Sequence, residues 1–358
     1  MSRLISYQVI EDAASVNCAP SYALQLNSDP GGEYGTIIIQ SELLLIIACL
    51  ENGWVVTIPD YEGPNAAFLS QWRAGYATLD GIRATLASSE FTGVDPNATI
   101  TMWGTSGGSV ASGFAAELQP SYAPELKFAG VALGGLVPSI TTALESLNEG
   151  FDAGIIVSGV IGLTHEYQYM KPILASYLLP QTREKFMSAA TKCAGAVSLD
   201  FRREDIYSYF RGGRESGLFK NPEVIRILDH NAMPQGIPTA PILILKSTND
   251  EVSPISDTDA VVEKYCSAGA TVDYKRDLLS FHTVLAITGA PEAIIWLRDR
   301  MDGVAIQEGC QVSTILMTLL QPGALQVMSK AIIDNLLALL GKPVGPRVST
   351  EIATVPPL

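Results

Sequence analysis

Histidine, cysteine and clustered basic residues are all scarce in this sequence, and each scarcity removes a class of chemistry. Three histidines, His165, His230 and His282, occur in 358 residues, and none has another His or Cys at metal-ligand spacing. A structural zinc site is therefore not expected. The five cysteines, Cys18, Cys49, Cys193, Cys266 and Cys310, form no CxxC pair; their odd count and wide spacing permit two long-range disulfides and one free thiol. Lys and Arg number 23 against 37 Asp and Glu, a net charge of −14, which argues against nucleic acid or anionic membrane surfaces as partners, since both require clustered cations. A long apolar run is missing too: TIIIQSELLLIIACLENGWVV is interrupted by Gln40, Ser41, Glu42, Glu51 and Asn52 and makes a poor membrane span. The opening residues MSRLISYQVIEDA lack the basic start and apolar stretch of a signal peptide.

What is present is apolar and patterned. Hydrophobic residues make up 47% of the chain and charged residues 17%, enough for a large core in one domain with an insertion, or in two domains. From the start to about Gly135, short β-branched runs alternate with helical stretches. GWVVTIPD, NATITMWG and KFAGVALGG read as strands, with helices over AFLSQWRAGYATLDGIRATLA and SVASGFAAELQ between them. That order implies a parallel sheet covered on both faces. From about Val137 to Pro238 the alternation stops and helices separated by Gly and Pro take over. Strands resume at APILILKSTND and ATVDYKRD, with helices near SDTDAVVEKYCSAG and PEAIIWLRDRM; after Asp302 come a loop around Cys310, the helical stretch GALQVMSKAIIDNLLALLG and a Pro-rich end.

The stretch TMWGTSGGSVASGF places Ser106 between Gly104 and Gly108. A serine on a sharp turn between strand and helix occupies strained backbone angles, and side chains two residues away on either side would collide with the turn. A hydroxyl is a weak nucleophile until a histidine takes its proton and an acid fixes that histidine's tautomer. Asp250, after the strand PILILKSTN, and His282, after YKRDLLSF, follow Ser106 in the order Ser, Asp, His, each in a loop after a strand, as an α/β hydrolase requires. Taken singly, Asp250 could be a turn residue and His282 a packed histidine. His165 and His230 fall within the helical insertion and are poor candidates for a base at a sheet edge.

SYQVIEDAASVNCAPSYALQ, GWVVTIPDYEG, GTSGGSVASGFAAELQPSYAPEL, NDEVSP and SFHTV together resemble the secretory fungal lipases related to Candida antarctica lipase A, over nearly the whole chain. The resemblance implies an α/β hydrolase core in two parts (1–136 and 239–302), a helical lid over 137–238 and a C-terminal flap over 303–358. It implies Ser106 as nucleophile, Asp250 as acid and His282 as base, with the oxyanion held by Gly107 and by Asp60, the acid opening DYEG. An ionised Asp60 would repel an oxyanion, so its backbone N–H or a protonated side chain would have to do this work. The same resemblance pairs Cys18 with Cys193 and Cys266 with Cys310 and leaves Cys49 free. It places a signal peptide and several dozen further residues ahead of the position matching Met1 in relatives, and makes the NAT sequon at Asn97 usable on secretion.

The reading that follows is a secreted serine carboxylic ester hydrolase, a lipase, acting without metal or organic cofactor on acylglycerols or similar lipid esters through an acyl-enzyme. An esterase deacylating a bulky secondary metabolite, and a non-catalytic binding protein that keeps the fold, are the alternatives. The second would predict an eroded Ser-His-Asp set, and all three residue types are present.

Overall fold

Seven runs form strands: β1 (Arg3–Gln8), β2 (Val55–Thr57), β3 (Thr99–Thr105), β4 (Phe128–Gly134), β5 (Ile242–Ser247), β6 (Val272–Asp277) and β7 (Cys310–Ile315). In the computed structural model, which describes residues 1–320, they make one sheet in the order β2-β1-β3-β4-β5-β6-β7. Every pairing is parallel. All carboxyl ends therefore share one edge, and the loops leaving that edge carry the candidate residues.

Alternation along the strands builds two cores. Leu4, Ile100, Met102, Leu133 and Ile244 pack with residues of helices Gln71–Ala87, Gly107–Tyr122 and Ile255–Ser267 on one face. Ile5, Tyr7, Trp103, Ala132 and Leu243 pack with helices Leu43–Glu51 and Ala290–Met301 on the other. Period-2 burial of this kind is what a sheet covered on both faces demands. The insertion between β4 and β5 is helical, as its sequence implies, and has a separate core that includes Leu144, Val157, Val160, Phe186 and Phe201.

Two strands escape the sequence reading. In β1 the face that Leu4 opens continues with Ser6 and Gln8, both fully buried, while Ile5 and Tyr7 point to the other face. Gln8 Nε2 donates to Ser6 Oγ at 2.7 Å and Ser112 Oγ donates to Gln8 Oε1 at 2.7 Å, so these polar side chains satisfy one another inside the core. The segment around Cys310, expected as a loop, is β7, an edge strand whose residues are partly or fully exposed; a strand without a buried face has no apolar signature. The apolar run before Val55 forms two short helices, Ile37–Ser41 and Leu43–Glu51, and among the described residues no helix is long and apolar enough to cross a membrane. The expected helix GALQVMSKAIIDNLLALLG, the Pro-rich end, and with them most of the expected flap, lie outside the described residues.

Cys18 is bonded to Cys193 and Cys266 to Cys310, with Cys49 free and buried. The first bond ties the loop after β1 to the insertion, and the second joins the end of helix Ile255–Ser267 to the start of β7.

Candidate active site

Ser106 follows β3 and caps helix Gly107–Tyr122 with φ 50° and ψ −122°, a left-handed conformation that costs a non-glycine residue energy unless its surroundings hold it. The neighbouring glycines permit it. A Cβ on Gly104 would overlap the Gly108 carbonyl, and one on Gly108 would overlap the carbonyl of Gln8 in β1. Backbone passes backbone here with no room for a side chain. Ser106 N–H donates to Gly134 O of β4 at 2.9 Å and Ser109 N–H to Ser106 O at 2.9 Å, fixing the turn between β3 and the new helix.

The hydroxyl points along a line of contacts. His282 Nε2 lies 2.8 Å from Ser106 Oγ, and His282 Nδ1 lies 2.8 Å from Asp250 Oδ2. Asp250 Oδ1 accepts from Val252 N–H at 3.0 Å and Ser253 N–H at 2.8 Å. Burial pushes the Asp250 carboxyl up, but the hydrogen bond and charge of His282 and the Lys246 ammonium outweigh it and hold the group at about 2. A carboxylate so placed stays ionised and fixes the Nδ1–H tautomer, leaving Nε2 to accept the serine proton. Glu251 holds the backbone of the same histidine: its Oε2 accepts from His282 N–H at 2.7 Å, at the first residue of helix His282–Thr288. Neither other histidine comes near; His165 Nδ1 is 3.0 Å from Ala66 O, and His230 stacks on Trp72.

Of the two residues expected to hold an oxyanion, Gly107 is at the site and Asp60 is not. Gly107 opens its helix next to Ser106, so its N–H is among those free at a helix N-terminus. The Asp60 carboxylate instead accepts from Ser21 N–H at 2.9 Å and Ser21 Oγ at 2.5 Å, and it does not line the cavity above Ser106. Asp12, in the loop after β1, stands beside Gly107 instead. Its Oδ1 lies against the Cα of Gly107, where a Cβ would overlap it, and although buried it has no hydrogen-bond partner among the described residues. Asp12 also has a left-handed backbone, φ 46°. Burial raises its carboxyl to about 7, His282 opposing and Asp152 reinforcing the shift. At neutral pH much of it is a neutral acid able to donate a hydrogen bond.

A cavity of about 930 Å³ opens over these groups, near the upper end of the ~300–1,000 Å³ usual for small-molecule sites. Its walls are mostly apolar, from Ile38 and Leu44 on one side and Leu144 and Ile155 of the insertion on another. Glu42 also lines it, accepting from Ile10 N–H at 2.8 Å and Tyr7 Oη–H at 2.7 Å, and burial raises its carboxyl to about 8.

Sequence reasoning missed Asp12, Glu251 and Lys246. Asp12 could have been found had RLISYQV been read as a strand, because an acid would then stand at a carboxyl end. Lys246 had a plainer signal: a lone cation inside the apolar strand ILILKS, four residues before Asp250.

A family model described as secretory lipase matches residues 28–309. Lipase A of Arthroderma benhamiae is 77% identical over the full 358 residues, which span 76% of that protein. Lipase 1 of Candida albicans is 34% identical over 99% of this chain and 77% of its own length. Among solved structures, Candida antarctica lipase A in its closed state matches with a TM-score of 0.83 at 26% identity, covering 94% of this chain and 79% of that one. The parallel sheet and its helices thus have the α/β hydrolase fold of that lipase.

Proposed function

Because this chain belongs to the secretory lipase family, secreted carboxylic ester hydrolases, we propose that Ser106 is its nucleophile, His282 its general base and acid, and Asp250 the acid that orients His282. The observation that carries this is the continuous line of 2.8 Å contacts from Ser106 through His282 to Asp250 at the floor of an apolar cavity. Ser106 Oγ attacks the ester carbonyl carbon while its proton passes to His282 Nε2. The carbonyl oxygen becomes an oxyanion facing the Gly107 N–H and Asp12, whose protonated carboxyl donates to it. Collapse breaks the bond to the alcohol oxygen, which leaves with the proton from His282, and the acyl group stays on Ser106. Water then gives a proton to His282 and attacks the acyl carbon; the carboxylic acid leaves and Ser106 recovers its proton.

The finer substrate reading is an acylglycerol or similar lipid ester with a long acyl chain. The volume and apolar walls of the cavity support it, as does the insertion that lines it with Leu144 and Ile155. The test is a panel of p-nitrophenyl esters from acetate to palmitate, with Ser106→Ala as control. Turnover should favour the longer chains and fall on the order of 10³-fold or more in the variant. Serine-independent turnover, or a strict preference for acetate, would overturn the residue assignment or the substrate reading respectively.

A further inference from the structure

Lys246 is fully buried in β5, its ammonium 2.8 Å from Asp250 Oδ2 and donating to Leu136 O at 2.8 Å. Burying a cation is expensive unless it is paired and hydrogen-bonded, and a strand position packed between two helical layers would normally carry Val, Ile or Leu. The oxygen it meets is the same one that accepts from His282 Nδ1. Its second acceptor, Leu136 O, follows Gly135, whose Cα faces the imidazole ring so closely that a Cβ there would stand 3.2 Å from Cε1. The lysine thus joins the acid loop after β5 to the β4 loop that borders the histidine.

We propose that Lys246 is a positioning residue: it shares Asp250 Oδ2 with His282, keeps that carboxylate ionised and aimed, and weakens its hold on a protonated imidazole, so that His282 stays able to accept a proton under acidic conditions. This rests on the assignment of Ser106, His282 and Asp250 as the reacting set. The charge balance favours it. Lys246 is faced by Asp250 and Glu251 from the acid loop and by Asp257 from helix Ile255–Ser267. His282 is faced by Asp250 and by Asp12, and Asp12 in turn by Asp152 of the insertion, while Glu251 accepts from the His282 backbone. The other charged groups in this set are acidic and, apart from Asp12, which is protonated on the acid side, favour imidazolium. Lys246 is the single opposing cation among them, and its full charge, 2.8 Å from the oxygen shared with the imidazole, acts in surroundings of effective dielectric about 20.

The experiment is the pH profile of kcat/KM for wild type, Lys246→Met and Lys246→Gln. Both variants remove the charge, and the glutamine keeps a donor. Both should move the acid limb upward by about one pH unit, a roughly tenfold loss of rate on the acid side, while the loss on the plateau is smaller. An unmoved limb in either folded variant would overturn the proposal, even if rates fell uniformly as they would from packing damage. In ¹⁵N-lysine spectra of the wild-type enzyme Lys246 should be an ammonium throughout the active pH range; a neutral amine there would overturn the proposal without any variant. Ser106→Ala run alongside separates the two layers: residual serine-independent activity refutes the reacting set, whereas its loss together with an unmoved limb refutes only the role of Lys246.

Discussion

Replacing Asp12 by Asn separates the charge of the carboxyl from its capacity to donate. The native group is raised to about 7 by burial, and kcat/KM reports the protonation of the free enzyme. If the protonated acid donates to the oxyanion, wild-type kcat/KM should fall roughly tenfold per unit above about pH 7, as a donor becomes a repelling anion. Asp12→Asn, a neutral donor at every pH, should lack that alkaline limb and overtake wild type by about pH 9. Asp12→Ala should be slower across the range by about 10²-fold or more, the usual cost of one lost oxyanion donor. The same substitution makes a thermodynamic prediction. A carboxyl whose folded value is raised binds more protons folded than unfolded, so stability is lost as pH climbs from its unfolded value near 3.9 through about 7. The shift amounts to about 4 kcal/mol as an upper figure, so Asp12→Asn should raise stability by up to that much at pH 8 and by little at pH 4. A pH-stat assay on an emulsified ester and urea unfolding at the two pH values measure both. An alkaline limb preserved in Asp12→Asn, or an Asp12→Ala variant within threefold of wild type, would show that only backbone N–H groups hold the oxyanion.

Gly104→Ala and Gly108→Ala both drive a methyl into a backbone carbonyl and should cost about 1–3 kcal/mol or more, with activity lost together with stability; unchanged urea midpoints would contradict the close approach. Cys266→Ser with Cys310→Ser should lower the melting temperature while leaving the rate near wild type, because that bond lies at the amino end of β7, whereas Cys18→Ser with Cys193→Ser should lower both. The chain-entropy account gives about 4–5 kcal/mol for loops of these lengths, and equal rates in the two pairs would separate the Asp12 loop from its cystine. The insertion has its own core and is tied by Cys18–Cys193, so specific activity on a medium-chain ester should pass the solubility limit without a jump; a steep rise at emulsification would make it a gate.

The parts of the fold legible in the sequence are those in which one force dominates. The runs over β3, β4 and β5 are mostly apolar or β-branched because they are central strands, and the elbow around Ser106 is rich in glycine because backbone contacts backbone there. β1 is also an interior strand, yet it hides Ser6 and Gln8, bonded to each other and to Ser112, and no local pattern distinguishes that from a polar loop. β7 lies at the edge and needs no apolar face. Between β4 and β5 the elements are helices, and the sequence there changes from strand alternation to helical spacing.

The exchange of Asp60 for Asp12 has the same origin. Both are acids in turns after strands that lie side by side in the sheet, β2 and β1, and a motif read along the chain has no coordinate across it. What separates them is the next neighbour: β1 pairs with β3, the strand that leads into Ser106, whereas β2 is one strand further out. An acid leaving β1 is therefore delivered beside Gly107, and one leaving β2 reaches Ser21 instead. Register then decides the chemistry. Oδ1 of Asp12 is buried without a partner among the described residues and the carboxyl is raised to about 7, while the Asp60 carboxylate is bonded to a hydroxyl and an amide of Ser21. Sheet order, which is fixed by long-range pairing, thus selects between two acids that composition and turn chemistry leave equivalent.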